Sequence, residues 1–221
     1  MNFFGHAAVA GWTREATPAF VIGAMLPDFA TISGARSVRA THPEAIGGVA
    51  LHHATDAVFH AAPDFVVLTR RVREQLERGG IRTGSARAAA HVGVELLLDG
   101  TLVTVHRACD LYLRALGDGG AYLTCDGADD VPRLARFLDR LRGAGIPYAY
   151  ADPRAVAGRV ERALSPRPLL ALPAGRADVL AAVLSDVAAD VRERAASLLD
   201  DVRRGLRPVM AQIVSEQPPA R

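Results

Sequence analysis

The sequence predicts an all-α protein, a single-domain helical bundle, on three observations. Ionisable side chains recur at helical spacing, His52, Asp56 and His60 in one run and His91, Glu95 and Asp99 in another. Residues four apart stand one turn apart on one face of a helix, so each run points imidazoles and carboxylates at a common spot. No segment alternates apolar and polar residues for long enough to make a useful strand. Proline and glycine clusters separate segments of helix length, and 221 residues at 50% hydrophobic content supply an adequate core.

The helices follow in order. Phe3 to Trp12 reads as a short apolar helix carrying His6, and Pro18 can occupy the first turn of the next, Ala19 to Leu26. Pro27 is expected to break that helix and leave Asp28 as a loop carboxylate, followed by a Ser-, Gly- and Arg-rich loop from Thr31 to Thr41. Glu44 to Ala61 reads as a buried helix with a polar stripe, and Pro63 opens Asp64 to Arg78, which Gly79-Gly80 ends. Ser85 caps a long helix to about Leu116, bent near Gly100 and stopped by Gly117 to Gly120. Asp129 to Arg142, Arg154 to Leu164 and Arg176 to about Val214 are amphipathic scaffold helices, and Glu216 to Arg221 reads as a frayed tail. Residues 1–120 thus form the expected metal-binding core, with 121–221 packing on it as part of one domain. No repeat at solenoid periods is present.

Formal net charge is only +2 and every basic residue is arginine, so charge implies no nucleic-acid partner. Cys109 and Cys125 are too few and wrongly spaced for a disulfide framework or a zinc ribbon. The N-terminus lacks the charged start and apolar run of a signal peptide, and no apolar stretch reaches the ~20 residues that span a bilayer. A cytoplasmic protein without transmembrane segments is the expectation. Val179, Leu180, Val183, Leu184, Val187, Val191 and Leu198 give the last helix an apolar face, expected to pack on its own core, with a homodimer as the alternative.

His6, His52, His53, His60 and His91 crowd the first 95 residues, and none occurs from Leu111 to Arg221. Imidazole and carboxylate together hold divalent metals, and a carboxylate can join two ions. One such histidine alone reads as a hydrogen-bonded core residue, whereas the set points to one or two divalent ions, zinc first and manganese, iron or nickel behind it.

Three segments carry a resemblance: Met1-Asn2-Phe3-Phe4-Gly5-His6, Gly23-Ala24-Met25-Leu26-Pro27-Asp28-Phe29, and Gly48-Val49-Ala50-Leu51-His52-His53-Ala54-Thr55-Asp56 with Pro63 following. In order and spacing they resemble the acyl carrier protein phosphodiesterase family, which is related to the HD-domain metallophosphohydrolases. The resemblance covers roughly the first 100 residues and implies metal-binding or catalytic roles for His6, Asp28, His52 and Asp56. The chain departs from that pattern at His91 and Glu95 on the later helix, and at His60 after the central Asp56, where the family has aspartates. His52-x-x-x-Asp56 with His91-x-x-x-Glu95 is also similar to the zinc-dependent phospholipase C and P1-type nuclease group. The resemblances imply an HD-domain-like or phospholipase C-like fold. They also imply a phosphoester substrate: 4'-phosphopantetheine on acyl carrier protein, a phospholipid or a nucleotide.

The expected mechanism is phosphodiester hydrolysis. Asp56 joins two ions, with His6, Asp28 and His52 on one side and His60, His91 and Glu95 on the other, and the ions activate water for in-line attack on phosphorus. Glu95 serves as ligand or general base, His53 contacts substrate or is an ordinary polar residue, and Asp99 orients a ligand histidine or is a plain helix residue. An arginine at Arg36 or Arg39 either holds phosphate or is solvated. Two alternatives remain: an HD-like di-iron oxygenase, and a non-enzymatic helical binding module whose histidines are structural.

Overall fold

Among the described residues proline opens four helices and glycine follows the ends of five. The computed structural model describes residues 1–13 and 16–216, so the expected frayed tail lies outside the described residues beyond Glu216. Among the described residues there are nine α-helices and two three-residue strands, an all-α fold.

Asn2 opens α1 (Phe3–Ala10) by accepting from the Phe3 amide at 2.6 Å. Thr17 caps α2 (Pro18–Ser33), whose Pro18 sits in the first turn, and Gly34 ends it in the left-handed region at φ 74°. Pro27 does not break α2, and Asp28 is a helical residue, contrary to the expectation of a loop. Proline removes one intrahelical bond and crowds the carbonyl four residues back. Buried Val21, Ile22, Met25, Leu26 and Phe29 on both sides of it keep the helix in place. The expected loop after α2 contains β1 (Val38–Ala40), antiparallel to β2 (Leu123–Cys125) with Val38 opposite Cys125. Three residues are too few to register as alternation. Asp130 fixes this pair by accepting from the Ser37 amide and hydroxyl at 2.8 and 2.7 Å.

Next come α3 (Pro43–Ala61) and α4 (Pro63–Arg78), then α5 (Thr83–Leu102) and α6 (His106–Asp118). The single long helix expected from Ser85 to Leu116 is therefore two, interrupted at Val103, Thr104 and Val105. Three successive β-branched residues lose side-chain freedom in a helix, which makes this the weakest point of the run. Gly100 is not a bend; its Cβ would overlap the Tyr150 carbonyl, so it is glycine to allow close approach. The chain ends in α7 (Asp130–Ala144), α8 (Pro153–Leu164, capped by Asp152) and α9 (Ala177–Glu216). No single helix among the described residues is long and apolar enough to cross a membrane.

The backbone gathers into two compact units. The first holds residues 1–58, 102–147 and the chain from Arg203 on. Its core is aromatic: Phe3 lies 5.7 Å from Phe29, Phe4 5.2 Å from Tyr112, and Phe29 5.2 Å from Phe137, centroid to centroid. Within it α2 and α3 cross in backbone contact, because a Cβ on Gly48 would overlap the Phe20 carbonyl and one on Gly23 would overlap the Ala45 carbonyl. The second unit holds residues 59–101 and 148–202. There Phe59, Phe65, Leu68, Val72 and Leu76 are buried, as are Leu180, Leu184, Val187, Val191 and Leu198 of α9. Arg194 pairs with Asp64 at 2.5 Å, Gln75 bonds Asp186 at 2.9 Å, and Arg71 pairs with Asp190.

The crossing sets a prediction. Gly48→Ala pushes α2 and α3 apart and lowers unfolding stability by about 2 to 3 kcal/mol. Gly117→Ala meets nothing within 4 Å and raises it by up to about 1 kcal/mol. Urea denaturation of the two variants against wild type checks both signs.

Candidate metal centres

Two groups of side chains have the composition and spacing to hold a cation, and α3 contributes to both. In the first unit His6 of α1 meets His52 and Asp56 of α3. In the second, His60 near the end of α3 meets His91 and Glu95 of α5. Within each group three ligand atoms, two imidazole nitrogens and one carboxylate oxygen, lie within 4.8 Å of one another.

The first group is built around His52, which is 3% exposed. Its Nδ1 lies 2.8 Å from the Ala24 carbonyl, a partner that can only accept, so Nδ1 carries the proton. In the neutral ring Nε2 then presents a lone pair, and it points at Asp56 Oδ2, 3.4 Å away. Two acceptors that close repel each other unless a cation or a proton stands between them. His6, 1% exposed, stacks on His52 with centroids 3.8 Å apart and planes 24° from parallel. Its Nε2 approaches Asp56 Oδ1 to 3.1 Å, out of line for a hydrogen bond, and its buried Nδ1 has no hydrogen-bond partner among the described residues. A buried imidazole with lone-pair capacity left over suits a metal ligand better than a structural histidine. The α-ammonium of Met1 also lies 3.1 Å from Asp56 Oδ1.

Burial pushes the His6 pKa down to about 4, against a smaller upward pull from Asp56, so this ring is neutral near pH 7. Burial also works to raise the Asp56 pKa, but His52, His6 and the α-ammonium outweigh it and hold the carboxyl well below the usual range. At neutral pH His6 is therefore a neutral imidazole and Asp56 an ionised carboxylate, the protonation states that metal binding requires.

In the second group a single oxygen, Glu95 Oε1, receives His60 Nε2 at 3.0 Å and His91 Nε2 at 3.1 Å. Glu95 is 8% exposed, while the two histidines are half-buried. Burial works to raise the Glu95 pKa, and the bonds from His60 and His91 help to hold it well below its ordinary value. Phe65 flanks this group, 5.4 Å from the His60 ring and 5.4 Å from that of His91. Phe59 packs 5.4 Å from His60.

Other residues singled out by spacing fall outside these groups. Asp28 is half-buried in α2, one turn beyond Ala24, and belongs to neither triad. His53 is exposed, its ring edge-on to His52 at 5.4 Å. Asp99 is fully buried one turn beyond Glu95. Arg39 on β1 is paired with Asp126 at 2.5 Å, and Arg36 is exposed. Spacing did not reveal the Ala24 carbonyl or the Phe59 and Phe65 flank. Pro27 was the available signal for the first, because a proline loosens the hydrogen-bonded turn before it and opens carbonyls there to side-chain donors. A backbone acceptor chosen by helix crossing leaves no other trace in sequence.

The neutral burial of His6 has a pH signature. The unfolded chain protonates this residue near pH 6.5 and the folded one only near pH 4, so the metal-free protein loses stability as pH falls below 6.5, and the loss stops growing below about 4. At pH 5 the expected loss from this group is about 2 kcal/mol. Urea denaturation at pH 7.5, 6 and 5 measures it, and His6→Gln flattens that part of the slope.

No family model, curated protein or solved structure matches the chain.

Proposed function

We propose that this protein is a metal-dependent phosphoester hydrolase, a phosphodiesterase that activates water with one or two divalent ions, at most one per triad. The observation that carries the reading is the meeting of His6 with His52 and Asp56. These residues come from two of the segments that resemble the acyl carrier protein phosphodiesterase family, and they supply two buried imidazoles and one half-buried carboxylate.

Such an ion supplies Lewis acidity, lowering the pKa of water from about 15.7 toward 7 and stabilising negative charge on phosphoryl oxygens. The chain's own residues hold and orient. Ala24 fixes the His52 tautomer through Nδ1, leaving Nε2 as the donor atom. His6 stacks on His52 and limits its rotation. Asp56 is the anionic member of this triad and Glu95 that of the other; Glu95 is also a candidate general base. His53, exposed beside His52, is our candidate for meeting a substrate oxygen or leaving group from solvent. Zinc is the first candidate for a mixed nitrogen and oxygen set, with manganese, iron or nickel next.

A second reading has its own support. Two histidines with one carboxylate is also the donor set of non-haem iron oxygenases, and both triads have it. Iron content, colour and oxygen consumption separate that reading from hydrolysis.

The hydrolase reading predicts about one or two zinc, manganese or nickel ions per chain by plasma mass spectrometry, and hydrolysis of bis-p-nitrophenyl phosphate. His52→Ala and Glu95→Ala should each lose bound metal and lower kcat/KM by about 100-fold or more. Chelator should also reduce the Tm of wild type. Absence of metal under every reconstitution condition, with no hydrolysis, would leave the triads as structural histidines.

A further inference from the structure

The outward face of α3 is unusual for a surface helix. Ile46, Val49, His53 and Asp56 follow one another at helical spacing on that face, with Ile46 and His53 exposed and Val49 and Asp56 half-buried. Exposed helix faces ordinarily carry charge, as α4 does with Arg70, Arg71, Glu74 and Arg78. From Ala45 to Val58, α3 has no ionisable residue except His52, His53 and Asp56. Ile46 is 54% exposed, an apolar side chain left in water.

The apolar end of this face forms one wall of a groove of about 290 Å³, lined by Ile46 and Val49, by Leu26 and Pro27 of α2, and by Val38 and Arg39 of β1. Its volume is at the lower edge of what holds a small organic group. Val49 and Asp56 are seven residues apart on a helix, so the groove begins about 10 Å along α3 from the first triad. All of these residues belong to the first unit.

We propose that this groove is a substrate subsite, and that the phosphodiester cleaved at the first triad carries an alkyl-type arm on the ester oxygen that is retained. The proposal rests on the hydrolase reading above and deepens it. The occupant is assigned from continuity: one helix face without arginine or lysine runs from Ile46 and Val49 past exposed His53 to Asp56, so a ligand held by phosphate at the triad has its apolar arm directed along the face that ends in the groove. Hydrolysis consumes one water, breaks the P–O bond to the leaving group, which departs as the alcohol or phenolate, and leaves an alkyl phosphate.

The test compares p-nitrophenyl octyl phosphate with p-nitrophenyl methyl phosphate, below micellar concentrations, on the full metal-loaded chain. Wild type should favour the octyl diester by about tenfold or more in kcat/KM, mainly through KM. In Ile46→Gln and Val49→Gln that ratio should fall to within about twofold of unity. Calorimetric titration with octyl phosphate and methyl phosphate reads the groove independently of turnover, with the same preference expected in wild type and lost in the variants. If neither diester is hydrolysed while octyl phosphate still binds preferentially through Ile46, the hydrolase reading fails and the subsite stands. Equal rates and equal affinities for the two chain lengths overturn the subsite. So does a concentration-dependent dimer that Ile46→Gln dissolves without altering the chain-length ratio, because the face is then a contact between copies. Thermal denaturation of the variants confirms that exposed Ile46 is not needed for folding.

Discussion

The close crossing of α2 and α3 is the constraint on which the geometry of the first triad depends. Glycine at positions 23 and 48 removes the side chains that would hold the two backbones apart. Ala24 adjoins the first of these glycines and His52 lies one turn beyond the second, so contact of the helices brings a carbonyl and an imidazole to 2.8 Å. That single bond decides which nitrogen of His52 is protonated and which faces Asp56. Side-chain chemistry here is set by backbone distance, and backbone distance by the absence of two methyl groups.

Much of this site was legible because helical spacing is a local property. His52 and Asp56, or His91 and Glu95, stand on one face whatever the tertiary structure. The all-α class was legible for the same reason, as were the starts of α2 and α4 at Pro18 and Pro63. What spacing could not give was anything decided by packing. Pro27 read as a break because its local preference is against helix, but burial of its neighbours prevails. The interruption at Val103 to Val105 is a small preference summed over three residues, below what a periodic pattern of apolar residues reveals. Asp28 read as a loop carboxylate aimed at metal; as a half-buried helical residue it belongs to neither triad, because its direction follows the phase of α2 rather than a flexible loop.

The two triads share a donor set and differ in surroundings, which makes them chemically unequal. His6 and His52 are buried and stacked, so their orientation is held by packing and by the Ala24 carbonyl before any ligand arrives. His60 and His91 are half-buried, and their order comes from one shared carboxylate oxygen and from the phenyl groups beside them. Preorganised donors lose less entropy when a ligand binds, and a drier setting strengthens the field at the ligand. On both counts the first triad is the better prepared of the two candidates. The second is the more open to exchange with solvent.

Charge distribution supports the same ordering from another direction. The chain carries 26 basic residues, yet none lies in α3. An arginine on the outward face of that helix would pair with Asp56, neutralise it, and repel a dication by several kcal/mol at short range and reduced dielectric. Leaving the face without arginine keeps the Asp56 carboxylate for the imidazoles and the α-ammonium. It also leaves apolar surface on the same helix, with Ile46 54% exposed two turns and more before Asp56. The keeping of Asp56 for imidazole and α-ammonium partners and the apolar surface further along the helix thus follow from one compositional fact about one helix face.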